Sequence, residues 1–461
     1  MFYQDTAAAI ATSSKDGSIS VIRVSGDRSC EIVSSIFFDK HMNPVTLSQC
    51  RTHTIRYGYI CEKENDIIDE VLVLIMKGPK SYTAEDVIEI QCHGGYMICQ
   101  MILELLVRRG ARIADPGEFT KRAFLNGRID LSQAESVMEL IQAKSDIAVK
   151  NSMSQLRGKI KKKIEELRKV ILEDLSFLEA ALDDPEHITL DNFSETIRRH
   201  TQQLKEELEH LLDNSQNGRL IKEGIRTAIV GKPNVGKSSF LNCILRDDRA
   251  IVTDIPGTTR DTLEEEIKIG STLFRFIDTA GIRETEDVLE NLGIDKTKKA
   301  IESADFVICL IDMSRELEEE DFYVLEQAKN HPGIILCNKS DLLARVTMEQ
   351  LPEYENKKVI SFCARTGEGL EQLEEYIHTL FLSDKIRYND EIYITNARQK
   401  ALLIEALESI RQLWNSVEAG MPEDLYSIDL MNAYETLGKM IGETVEDDIV
   451  DKIFKDFCMG K

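Results

Sequence analysis

The sequence contains no apolar run that approaches the roughly eighteen residues a membrane-spanning helix requires. Its first residues, Met1-Phe2-Tyr3-Gln4-Asp5, show no basic stretch followed by an apolar one. Neither a membrane span nor a secretory leader is expected. Ten cysteines are present, yet none stands in a Cys-x-x-Cys pair or another metal-ligand spacing. That excludes a sequence-evident zinc module and fits a reduced, cytoplasmic setting. Positive charge is also short: 57 Lys and Arg face 81 Asp and Glu, for a formal net charge of −24. A globally basic nucleic-acid binder is excluded, so any RNA contact needs a local basic face.

What is present is ample core-forming material. The chain has 461 residues, 42% of them hydrophobic, enough for about three domains. Residues 1–118 mix β-type runs (Ile19 to Val24, Thr52 to Ile60, Glu70 to Met76, Val87 to Cys92) with one helical pattern over Gly95 to Arg109. This predicts an N-terminal α+β domain. From about residue 131 the pattern turns wholly helical, with one apolar stripe through Ile164, Leu167, Val170, Ile171, Leu175 and Leu178 and another through Leu204, Leu208, Leu211 and Leu212. Asp183-Asp184-Pro185 predicts a break between two long helices, and Ser215 to Gly218 a hinge. Residues 216–382 alternate strands and helices, which predicts a mostly parallel sheet, and 383–461 return to helices. The expected fold is therefore multidomain α/β plus α, with an α/β domain inserted into an all-helical domain (119–215 and 383–461) that is discontinuous in sequence.

Chemistry is concentrated in the inserted segment. Gly231-Lys232-Pro233-Asn234-Val235-Gly236-Lys237-Ser238 fits the phosphate-loop pattern between a strand, Arg226 to Val230, and a helix opened by Ser238-Ser239. Backbone N–H groups and the helix N-terminus would cradle phosphates, Lys237 would reach the β- and γ-phosphates, and the Ser238 hydroxyl would ligate Mg²⁺. Asp278-Thr279-Ala280-Gly281 follows a second strand; Asp278 would hold magnesium through water and the Gly281 amide would sense the γ-phosphate. Asn338-Lys339-Ser340-Asp341 follows a third strand, and Asp341 can accept from the N1–H and 2-amino group of guanine, a donor pair adenine lacks. The set predicts a GTP-hydrolysing, Ras-like P-loop domain.

The hydrolytic residues depart from the Ras plan. Ile282 occupies the place of a water-orienting glutamine, with Arg283 beside it. Glu290 is a candidate for positioning water through an intervening water molecule. Val252 to Asp261 reads as a first switch, in which Thr259 would bring its hydroxyl to Mg²⁺. The Asn234 side-chain carbonyl can coordinate a monovalent cation with backbone oxygens of the loop Thr253 to Thr258, and K⁺ there would offset charge developing between the phosphates.

The chain resembles the MnmE (TrmE) family of tRNA-modifying GTPases over essentially its whole length. The nucleotide-domain residues that carry this are 231–238, Gly257-Thr258-Thr259-Arg260-Asp261 and Asp278-Thr279-Ala280-Gly281. Elsewhere it rests on His93-Gly94-Gly95, Pro116-Gly117-Glu118-Phe119, Arg122-Ala123-Phe124-Leu125-Asn126 and Phe457-Cys458-Met459-Gly460-Lys461. The resemblance implies a folate-binding and dimerising N-terminal domain, a homodimer, and work with a MnmG (GidA)-like FAD protein in a heterotetramer or larger complex. The implied reaction installs a carboxymethylaminomethyl or aminomethyl group on C5 of a wobble uridine in tRNA. Its one-carbon source is a 5,10-methylene- or 5-formyl-tetrahydrofolate. By correspondence, Asn234, Thr253, Ile255 and Thr258 would hold K⁺ and Arg23, Glu89, Arg128 and Lys461 would contact folate. Glu290 would be catalytic alongside Lys237, Thr259 and Gly281, and Cys458 would act in tRNA modification. The GTP-binding set adds Val235, Gly236, Ser239, Asn338, Lys339, Asp341, Cys363, Ala364 and Arg365. Cys363 replaces the family's usual serine, Arg128 a common lysine, and Thr12 to Ser18 a glycine-rich loop.

Two other classes remain open at this point. A ribosome-assembly GTPase of Era or Der type would carry a KH module, but no Gly-x-x-Gly loop occurs among 385–461. A dynamin- or septin-like assembly GTPase lacks support because no basic amphipathic or apolar anchor is evident. For tRNA, Arg157-Gly158-Lys159-Ile160-Lys161-Lys162-Lys163 offers a basic helix segment, equally readable as a solvated face.

Overall fold

The computed structural model describes residues 5–12, 17–63, 66–184, 186–187, 193–246, 265–270, 272–277, 298–352, 354, 357–383, 391–445, 447–455, 457 and 460. It divides into two compact units: Met1–Met138 with Gln155–Arg198 and Gln412–Lys461, and Glu139–Ser154 with Arg199–Arg411.

In the first unit, seven strands form one sheet: β1 Ala7–Ile10, β2 Ile19–Ser25, β3 Phe37–Asp39, β4 Thr54–Cys61, β5 Ile67–Met76, β6 Val87–His93 and β7 Arg112–Ile113. Their order is β3-β4-β5-β6-β2-β1-β7, antiparallel except for the β1–β7 pair. Along β5 the alternation is plain: Val71, Val73 and Ile75 are buried while Glu70 and Leu72 are exposed. The buried face packs against the helices Ser29–Ser34 and Tyr96–Arg108 through Ile32, Val33, Ile102, Leu105 and Leu106. β1 is sandwiched: Ala8 joins that core, whereas Ala7 and Ala9 pack on the other side with Ala114 and Phe119.

The helix Glu118–Leu125 accounts for two of the family-specific runs. Arg122 is buried, and its guanidinium donates to Glu118 Oε1 at 2.7 and 3.0 Å, to Asp5 Oδ1 at 2.7 Å and to Glu85 Oε2 at 3.1 Å. Arg112 donates to both Glu118 oxygens at 2.7 and 3.0 Å. Burial alone would raise the Glu118 carboxyl's pKa, but the two guanidinium groups outweigh it and hold it below the ordinary value. Asn126 donates to Thr83 O at 2.7 Å. These residues pin the segment around Thr83 and Glu85 to the sheet.

The C-terminal chain belongs to the same unit. Val450, Phe454 and Phe457 pack with Ala123, Ile129, Leu131 and Ala134. Gly460 has φ 83° and comes so close to β1 that a Cβ would lie 2.3 Å from the Ile10 carbonyl oxygen.

The second unit contains a six-stranded sheet in the order β13-β12-β11-β8-β10-β9. Its strands are β8 Ile225–Val230, β9 Glu265–Ile269, β10 Thr272–Phe276, β11 Phe306–Asp312, β12 Gly333–Asn338 and β13 Lys357–Ser361. All pairs are parallel except β9–β10, as the alternating pattern predicted. Both faces are covered, which is why β11 reads as an unbroken apolar run. Phe306, Ile308 and Leu310 enter one core and Val307, Cys309 and Ile311 the other. Ligand sites in such sheets lie at the carboxyl ends of the strands, and among the described residues the phosphate loop and the Asn338 motif begin there.

One expectation is corrected. The helix Phe193–Glu223 runs unbroken through Ser215 to Gly218, so no hinge lies there. Gly218 serves close packing instead: a Cβ would sit 2.1 Å from the Ile394 carbonyl oxygen. The helix ends at Gly224, where φ is 82°. Among the described residues, no helix is long and apolar enough to cross a membrane.

Candidate functional site

The phosphate loop leaves β8 at Val230 and enters the helix Lys237–Arg246. Asn234 takes φ 62° and Gly236 φ 102°, turns that aim successive backbone groups at one side. Lys237 Nζ donates to Gly231 O at 2.6 Å and Lys232 O at 3.1 Å. Burial lowers the pKa of this ammonium, and no carboxylate pairs with it among the described residues. A cation held by neutral carbonyls at a helix N-terminus has its charge free for an anionic ligand. The exposed Ser238 at the start of the helix is a hydroxyl oxygen of the kind magnesium takes. Asn234 and Ser239 are likewise exposed.

The Asn338-Lys339-Ser340-Asp341 motif is fastened to this loop. Asn338, 2% exposed, donates through Nδ2 to Val235 O at 2.7 Å, and its Oδ1 accepts from Ala364 N at 3.0 Å. One side chain thereby ties the phosphate loop, the end of β12 and the segment after β13. Gly236 must be glycine for this contact, since a Cβ would lie 2.3 Å from Asn338 Nδ2. Cys363 Sγ lies 3.4 Å from Asp341 Oδ1, so the residue in the usual serine position reaches the carboxylate expected to read the base. Arg365 lines, with Ser239, Asn242 and Ala364, an open cavity of about 1190 Å³ beside these motifs.

Two charged contacts here were not foreseen. Lys339 Nζ donates to Asp312 Oδ2 at 2.6 Å. Lys232, inside the phosphate loop, pairs with Glu318 and, at 3.0 Å, with Glu320. The acidic run after β11 was the only available signal for the second.

Thr253, Ile255, Thr258, Thr259, Asp278, Thr279, Ala280, Gly281, Ile282, Arg283 and Glu290 lie outside the described residues, as do Cys458, Lys461 and 13–16 of the N-terminal loop.

A second constellation lies in the first unit. Arg23 and Glu89 are cross-strand partners in the β2–β6 register, and Arg23 donates to Glu89 Oε1 through Nε at 2.9 Å and Nη2 at 2.7 Å. Both bonds fall on one oxygen; among the described residues Oε2 accepts none. The Arg23 guanidinium also lies 4.7 Å from the Tyr82 ring centroid and 5.4 Å from that of Phe119. Arg128 covers Tyr82 at 5.0 Å and donates to its carbonyl at 2.9 Å. Gly460 O accepts from Arg23 Nη1 at 3.5 Å. Two of the four residues expected at a folate site, Arg23 and Arg128, thus converge on Tyr82, which sequence reasoning did not single out, and Glu89 joins them through Arg23. A free carboxylate oxygen, two guanidinium groups and an aromatic face suit a pterin edge and an anionic glutamate tail.

The comparisons with known proteins agree along the whole chain. Residues 6–128 match the family described as the GTP-binding protein TrmE N-terminus, and residues 131–458 match the MnmE helical domain. The tRNA modification GTPase MnmE of Lachnoclostridium phytofermentans is 50% identical over 457 residues, covering 99% of both chains. The protein of that name from Clostridioides difficile is 45% identical over 466 residues, covering 100% of each. The one from Enterococcus faecalis is 42% identical, covering 99% of this chain and 98% of its own.

Proposed function

The chain belongs to the MnmE family of tRNA modification GTPases, and from that premise we infer that it hydrolyses GTP to GDP and phosphate in the service of tRNA modification. The observation that carries the reading is the Asn338 bridge, which holds the phosphate loop and the guanine-recognition segments in one unit. Lys237 binds the β- and γ-phosphate oxygens, Asp341 accepts from guanine N1–H and the 2-amino group, and the Gly281 amide senses the γ-phosphate. Ser239, Val235, Ala364 and Arg365 complete the nucleotide contacts. Magnesium, held by Ser238 and Thr259, and potassium, held by Asn234, Thr253, Ile255 and Thr258, would offset phosphate charge when bound. Glu290 orients the attacking water through a second water, which answers the lack of a polar side chain at Ile282.

The remaining domains give hydrolysis its purpose. Arg23, Glu89, Arg128 and Lys461 bind a tetrahydrofolate derivative as one-carbon source, and Cys458 acts in modification of the wobble uridine. The N-terminal domain, 1–118, forms a homodimer. A helical domain, 119–215 and 383–461, carries the GTPase domain, 216–382. The homodimer works in the cytoplasm with a MnmG-like partner that carries FAD.

GTP turnover compared in K⁺ and Na⁺ tests the cation site: faster turnover in K⁺ is expected, and equal rates would remove it. Nucleoside analysis of tRNA from cells lacking the protein tests the purpose. Unmodified wobble uridines are expected, and normal ones would overturn the assignment.

A further inference from the structure

Asp312 closes β11 and stands opposite Asn338 in the β11–β12 register. It is 6% exposed, and its two oxygens do separate things. Oδ1 accepts from Ser314 N at 2.9 Å and Ser314 Oγ at 2.6 Å, closing the turn after the strand. Oδ2 accepts from Lys339 Nζ at 2.6 Å, with Arg315 Nε farther away at 3.8 Å.

Lys339 is an unusual residue to leave unsupported. Its φ is 64°, in the left-handed region that side chains other than glycine, asparagine and aspartate seldom adopt. On one side of it, Asn338 is bonded to the phosphate loop and to Ala364; on the other, Asp341 lies against Cys363. A backbone flip at Lys339 would therefore change the spacing between the residue that joins the site and the residue that reads the base. Such conformations persist where surrounding contacts over-determine them, and the bond to Asp312 is such a contact.

We propose that Asp312 is a positioning residue for nucleotide recognition, holding Lys339 and with it the loop Asn338 to Asp341 in its binding shape. This rests on reading the site as a GTP site. The bland alternative is that Asp312 only caps the Ser314 turn, and the division between its oxygens separates the two. Asp312→Asn keeps an Oδ1 acceptor for Ser314 but presents an NH₂ group to the ammonium. Ser314→Ala removes the Oγ contact and leaves Oδ2 with Lys339.

The test is titration of fluorescent mant-GDP and mant-GTP into the full chain, with GTP turnover and thermal melting in parallel. Asp312→Asn should raise both Kd values, and KM, by about tenfold, with kcat within about twofold and melting unchanged. Ser314→Ala should stay within about twofold of wild type. Lys339→Met, at a partly exposed position, should weaken binding on its own, and Asp312→Asn should add less than about twofold in that background. Wild-type affinity in Asp312→Asn overturns the proposal, as does an equal loss in Ser314→Ala or full multiplicativity with Lys339→Met. Absence of guanine-nucleotide binding in the wild-type chain would instead overturn the GTP reading on which it stands.

Discussion

Replacing Asn338 by alanine should disable nucleotide binding by breaking the bridge between the phosphate loop and the segment after β13, beyond any contact the side chain makes with nucleotide. The side chain is 2% exposed and completes two hydrogen bonds, one to the Val235 carbonyl and one from the Ala364 amide. Alanine leaves both backbone groups without partners. At about 1–3 kcal/mol for each buried group left unsatisfied, the cost is about 2–6 kcal/mol. The lower end corresponds to roughly a thirtyfold rise in Kd, at about 1.4 kcal/mol per factor of ten. Asn338→Asp divides the two contacts: a carboxylate still accepts from Ala364 but turns an oxygen toward the Val235 carbonyl. It should lose affinity comparably. Gly236→Ala attacks the same bridge from the other side, because its Cβ would fall 2.3 Å from Asn338 Nδ2 at φ 102°. Combined with Asn338→Ala, it should cost clearly less than the sum of the two single changes. Titration with mant-GDP at fixed magnesium reads all four proteins. Binding by Asn338→Ala and Asn338→Asp within about threefold of wild type would refute the reasoning, since the bridge would then contribute under about 1 kcal/mol.

Asp341→Asn should shift preference from guanosine to xanthosine nucleotides, read by competition titration; retained guanine preference would remove Asp341 from base reading. Arg122→Met removes the buried guanidinium shared by Glu118 and the half-buried Glu85, leaving Glu118 with Arg112 alone, and should destabilise the full chain by about 1.5–3 kcal/mol in urea unfolding, whereas a loss under about 1 kcal/mol would contradict the network. The Glu118 carboxyl titrates lower in the folded chain than its ordinary 4.5, so its contribution is present above that pH and is lost as pH falls through the folded value. Melting temperature should therefore fall on acidification below about pH 4.5, less steeply in Glu118→Gln; identical slopes would argue against it. Gly460→Ala cannot keep the tail against Ile10, and the Kd for 5-formyltetrahydrofolate should rise in equilibrium dialysis; an unchanged Kd would separate the tail from the Arg23 cluster.

Much of the frame could be read because periodicity and punctuation are local signals. β2, β4, β5 and β6 lie within a few residues of their expected places, and β8, β10 and β12 end where the motifs begin. β1 escaped notice because four residues of mostly alanine, Ala7–Ile10, carry no pattern and are fixed only by neighbours distant in sequence. Gly218 was read as a hinge because glycine disfavours helices; the close approach of Ile394 overrides that preference. Tyr82 and Asp312 sit outside any motif, and only the folded chain puts them beside Arg23 and Lys339. Glu118 and Arg122 were noticed as family-specific, but spacing could not tell a buried ion network from a ligand site. Their burial decides for structure.

The contact between Arg23 and Gly460 joins residues 437 positions apart. During synthesis, the sheet that carries Arg23 and Glu89 can pair from residues that emerge early, and domains tend to form in order of emergence. The wall supplied by Gly460 cannot form until the intervening residues, the second unit among them, have been added. The Arg23 cluster therefore closes only after the nucleotide-binding unit is available to fold, so a chain cut short of Gly460 would carry an intact phosphate loop while the cluster stays open to water.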